Sequence, residues 1–127
     1  MVPADVQPPR PRIAVVESDE AVRTALVRLI RTASCDAEGF GSAEAFLAST
    51  RRYACVLVDM RLPGLSALDL DAHLRTTADV TPVIFMSATG ETQAREISRR
   101  TGRPCLAKPI DGIQLLIGLS LVVPPGG

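Results

Sequence analysis

Four short, continuous apolar runs recur along the chain: IAVV (Ile13 to Val16), CVLV (Cys55 to Val58), VIFM (Val83 to Met86) and CLA (Cys105 to Ala107). A weaker run lies around Ala37 to Phe40. Runs that are continuous rather than alternating suit strands buried on both faces, as in a parallel sheet covered by helices on each side. Between them the apolar residues follow helical spacing, as at Val22, Leu26, Leu29 and Ile30, or at Ala43, Phe46 and Leu47 after the candidate cap Ser42. The pattern is strand then helix, five times over. With right-handed crossovers it predicts a doubly wound α/β fold, and 127 residues suit one such core.

Parallel strands present their carboxyl ends at one sheet edge, where doubly wound folds bind ligands. The residues that follow the four strong runs are Glu17, Asp59, Ser87 and Lys108. Two carboxylates, a hydroxyl and an ammonium are therefore expected in one crevice. Asp59 sits between a buried-looking strand and the bend at Pro63-Gly64, and a carboxylate at the edge of a core requires a reason. Lys108 is the one lysine among fourteen basic residues. Its compact ammonium bridges carboxylate and phosphate oxygens as a point charge, which a planar guanidinium does not reproduce.

Charge and composition exclude several classes of function. Fourteen basic residues balance fourteen acidic ones, so nothing favours nonspecific attraction to nucleic acid or an anionic membrane. No run reaches the length of a membrane span, and the Pro- and Arg-rich start has no apolar core of a signal peptide. Cys35, Cys55 and Cys105 show neither CxxC pairing nor metal spacing, which points to reduced thiols in the cytoplasm. There is no GxxxxGK loop for a nucleotide. The organisation read from composition is a flexible arm over residues 1–11, a folded domain over 12–123 and a short tail over 124–127; the closing PPGG suits either a stand-alone domain or one followed by an output domain in a longer protein.

In order and spacing, VVESDEAVR, GSAEAFLAS, VLVDMRLPGLS, VIFMSATG and LAKPI resemble the receiver domains of two-component response regulators, particularly the FixJ-like group. The resemblance runs from about Arg12 to about Val122. It implies a flavodoxin-like, five-stranded parallel sheet in the order 2-1-3-4-5. It further implies that Asp59 accepts a phosphoryl group from a histidine kinase, with Lys108 and Ser87 holding the phosphoryl oxygens. Magnesium is then expected on Glu17, Asp59 and the main-chain carbonyl of Arg61. The Lys108-Pro109 bond is expected to be cis. A homodimer or partner is expected on the fourth helix, fifth strand and fifth helix, because the last helix is apolar on every side from Ile113 to Val123. Such a protein is an acceptor and switch rather than a turnover enzyme.

The chain also departs from the family pattern. Ser18 stands where a second acid usually follows the first, and Asp19 is expected to cap a helix rather than bind metal. Cys105 replaces the usual aromatic switch residue, Ala67 a usual glycine and Ser87 the commoner threonine, while Arg61 and Thr89 flank the acceptor. These departures motivate a second reading, a degenerate receiver that binds partners without phosphorylation. An aspartyl phosphohydrolase is a distant third, since Arg61 occupies the place of its second aspartate.

Overall fold

The computed structural model describes residues 10–123. Ten elements alternate along it: β1 (Arg12–Val16), α1 (Glu20–Arg31), β2 (Asp36–Phe40), α2 (Ala43–Leu47), β3 (Cys55–Asp59), α3 (Ala67–Thr76), β4 (Val83–Ser87), α4 (Glu91–Thr101), β5 (Cys105–Ala107) and α5 (Gly112–Val122). The five strands form one parallel sheet in the order β2-β1-β3-β4-β5, as expected. Residues 1–9 and 124–127, which hold most of the expected arm and all of the tail, lie outside the described residues. Pro11, assigned to that arm, already belongs to the fold, because its carbonyl accepts a hydrogen bond from the Asp36 amide at 2.8 Å.

The sheet separates two cores. On one face Ile13, Val15, Leu57, Ile84 and Met86 pack with Leu26 and Ile30 of α1 and with Leu115 and Leu119 of α5. On the other, Ala14, Val16, Val56, Val58 and Phe85 pack with Phe46 of α2 and with Leu70 and Leu74 of α3. Successive residues of β1, β3 and β4 point to opposite faces, so a strand apolar at every position serves both cores. Each fully buried aliphatic side chain contributes about 1.5–3 kcal/mol. Cys35 and Cys55 are free, buried thiols, and burial pushes Cys55 up to about 12.

The helices start where their caps dictate. Asp19 accepts from the Val22 amide, Ser42 from Ala45, and Asp111 from Ile113 and Gln114. Ser66 and Asp69 form a reciprocal capping box. By contrast, the N-cap of α4 is Gly90, with φ of 96° and no side-chain cap, and the helix buries only Ala94. Helix α5 buries Leu115, Gly118 and Leu119, yet leaves Ile113, Ile117 and Leu121 exposed by 72%, 55% and 78%. Four residues apart, these three form one apolar ridge.

Candidate functional site

Sheet register brings the expected residues to one edge. Asp59 and Ser87 are the last residues of β3 and β4 rather than the residues after them, because the ladder extends to Asp59↔Met86 and Ser87↔Ala107. Glu17 and Lys108 each continue the ladder by one residue: the Glu17 amide donates to the Phe40 carbonyl at 2.9 Å, and the Lys108 amide to the Ser87 carbonyl at 2.8 Å. The Lys108-Pro109 bond is cis, in line with the resemblance.

Within this crevice the Lys108 ammonium donates to Glu17 Oε1 and lies 3.3 Å from Asp59 Oδ2. Glu17, Asp59 and Ser87 are all buried. Two carboxylates thus share one ammonium, and one negative charge remains without a partner. Burial raises the Glu17 pKa; the Lys108 hydrogen bond opposes this, Asp59 reinforces it, and the net direction is up. For Lys108 burial acts downward, but the bond to Glu17 and the charges of Asp59 and Glu17 outweigh it, so its pKa also rises. Glu17 thus holds the lysine more closely than Asp59 does, a contact that the sequence reading did not anticipate.

Ser87 is at the site but turned to its own loop. Its Oγ lies 2.7 Å from Thr89 Oγ1 and accepts from the Thr89 amide at 3.3 Å. Arg61 follows β3 in an exposed loop and has no ion-pair partner among the described residues. In the same loop Gly64 has φ of 74°, and a β-carbon there would collide with the Glu44 carboxylate. Ser18 is exposed, and the Asp19 carboxylate is engaged as the cap of α1. No cluster of three or more His, Cys, Asp or Glu suited to a metal occurs among the described residues. The donor set is therefore minimal, but a carboxylate pair with one charge in excess of Lys108 fits a hard cation that keeps most of its own water, as magnesium does.

Another buried charge cluster went unnoticed in the sequence. Asp71 of α3 accepts from Arg75 Nε at 3.0 Å through one oxygen and from Arg103 Nε at 3.0 Å through the other. Arg75 also donates to the Thr101 carbonyl at the end of α4, at 2.8 Å. Only Asp71 and Arg75, four apart on one helix, could have been paired from spacing alone.

The comparisons agree with this geometry. Residues 13–119 match the response regulator receiver domain family. The chain is 36% identical over 81 residues to the response regulator protein TodT of Pseudomonas putida, covering 62% of this chain and 36% of that protein. It is 34% identical to nodulation protein W of Bradyrhizobium diazoefficiens, over 82% of this chain and 47% of that one. Among solved structures, the response regulator StyR superposes with a TM-score of 0.80 at 30% identity, over 91% of this chain and 60% of that chain. The chain belongs to the receiver-domain family of two-component response regulators, which works in phosphorelay signal transduction with histidine kinases. It spans less than half the length of these two curated relatives. No helix among the described residues is long and apolar enough to cross a membrane.

Proposed function

We propose that Asp59 is the phosphoacceptor of a phosphorelay and that the chain is a switch rather than a turnover enzyme. The observation that carries this reading is a buried carboxylate at the carboxyl edge of the sheet, 3.3 Å from the chain's only lysine. An Asp59 oxygen attacks the phosphorus of a phosphohistidine on the kinase. The new P–O bond forms as the P–N bond breaks, and the imidazole nitrogen leaves with the electron pair and takes up a proton. Such a transfer depends on positioning and on neutralising charge at the phosphoryl oxygens. Lys108 supplies one positive charge, and the Ser87 hydroxyl supplies a donor once it exchanges Thr89 for a phosphoryl oxygen. Glu17, Asp59 and the Arg61 carbonyl are the groups for magnesium, which when bound would neutralise further phosphoryl charge.

Beside Lys108, the side chains of Val22, Ala25, Leu26, Pro109 and Ile110 line a groove of about 480 Å³. It offers an apolar seat for the kinase within reach of the acceptor. The reading places the chain in the cytoplasm with that kinase, and a homodimer on the α4, β5 and α5 side would cover the ridge of Ile113, Ile117 and Leu121.

Intact mass after incubation with a small-molecule phosphodonor tests the acceptor, with and without magnesium, on wild type and Asp59→Asn. A magnesium-dependent phosphoryl adduct that Asp59→Asn abolishes is the expected result. A folded wild type that acquires no adduct at any magnesium concentration would overturn the reading in favour of a phosphorylation-independent interaction module.

A further inference from the structure

At the amino ends of β3 and β4, the edge of the sheet opposite the acidic crevice, lies an open cleft of about 790 Å³. This volume falls within the range of small-molecule sites. Its apolar lining comes from Phe46 and Leu47 of α2, Leu74 of α3, Val80 and Pro82 before β4, and Val122 of α5. One wall is braced. Tyr53 donates its hydroxyl to Glu38 at 2.7 Å, lies 3.0 Å from the Ser49 hydroxyl, and packs edge-on against Phe40.

The polar lining is cationic. Arg51 and Arg52 line the cavity on consecutive positions of the loop before β3, and neither guanidinium has an ion-pair partner among the described residues. His73 stands on the α3 side. The one carboxylate of the lining, Asp79, is already engaged, since it accepts from the Thr81 amide at 2.9 Å and the Thr81 hydroxyl at 2.6 Å. The Thr77 hydroxyl is likewise committed to the His73 and Leu74 carbonyls. Two guanidiniums without an ion-pair partner among the described residues stand beside the apolar lining, with Arg52 near enough to Asp79 for its charge to help lower that carboxylate's pKa. Guanidinium presents paired donors that match a carboxylate.

We infer that this cavity binds a small organic anion, a carboxylate on a short apolar body, at a site separate from the phosphoryl crevice. The body lies on Leu47, Leu74 and Pro82, with the exposed Val80 at the open rim, and the carboxylate meets Arg51 and Arg52. Because Val122 is among the lining residues, an occupant also lies beside the last turn of α5. Binding is thereby felt on a helix whose outer ridge is exposed.

Amide NMR titration with hexanoate, and with hexanamide as its uncharged counterpart, tests the site on wild type, Arg51→Gln/Arg52→Gln and Val80→Asp. All three substituted positions are exposed, so the variants are expected to keep the fold, and their unperturbed spectra verify it. Hexanoate is expected to shift the amides around Ser49 to Ala54 and Thr77 to Thr81 saturably, with hexanamide and both variants weaker by roughly tenfold. Equal binding of hexanamide would overturn the inference, because the arginines would then confer no selectivity. So would shifts confined to the Asp59 crevice, or the absence of saturable shifts up to roughly 10 mM hexanoate.

Discussion

Two clusters of buried charge brace this fold, and their stoichiometries are mirror images. In the crevice, Glu17 and Asp59 share the single ammonium of Lys108. Between α3 and α4, the single carboxylate of Asp71 is shared by Arg75 and Arg103. The excess charge at Asp71 is positive and sits on long side chains; Arg75 is 52% exposed and sheds its surplus to water. The excess in the crevice is negative and is shared by Glu17 and Asp59, which are 1% and 6% exposed. One cluster sheds its surplus charge to water, whereas the other keeps its surplus inside the fold.

Lys108→Met should break the contrast most severely. It strands two carboxylates with no counter-charge, and a loss of about 3 kcal/mol in urea denaturation at neutral pH is expected. A loss too small to resolve would mean that the carboxylates do not depend on the lysine. Asp71→Asn should cost less, about 1–2 kcal/mol, since water reaches the orphaned Arg75 and part of Arg103. Hydrogen exchange should rise at the α3–α4 contact alone; protection unchanged there would deny Asp71 its bracing role.

Glu17→Gln sharpens the comparison, because it should stabilise the metal-free fold by about 1 kcal/mol at pH 7. Burial and Asp59 raise the Glu17 pKa above its ordinary 4.5. The folded chain then holds that proton more tightly than the unfolded chain does. Its stabilising contribution is complete below 4.5 and is lost as pH rises through the raised value. The gap between variant and wild type should therefore close as pH falls toward 4.5, and paired melts across that range would reveal a constant gap if this account is wrong. Glu96→Gln is the small end of the series. It removes exposed pairs to Arg99 and Arg100, and no change in the melting curve is expected.

What was legible in the sequence was whatever is local or repeated. The runs at Ile13, Cys55, Val83 and Cys105 announced strands because both cores need apolar residues at every position. Asp19 and Ser42 were readable as caps because a cap acts within three residues. The convergence of Glu17, Asp59, Ser87 and Lys108 followed from parallel topology alone. Which of them touch did not. Lys108 and Glu17 are 91 residues apart, and their contact depends on the register of three intervening strand pairings. Arg103 and Asp71 meet across 32 residues with no pattern linking them. The apolar character of α5 was plain from composition, but the division between buried Leu115 and Leu119 and exposed Ile113, Ile117 and Leu121 was set by where α1 and the sheet lie.

The uncapped start of α4 bears on the order in which the molecule opens. Gly90 leaves the first amides of that helix without a side-chain acceptor, and Ala94 alone is buried beneath it. Segments so lightly held open first, far below the free energy of global unfolding. Its N-cap, Gly90, directly follows Thr89, the partner of the Ser87 hydroxyl. A rearrangement of that hydroxyl pair would act next to a lightly held part of the backbone.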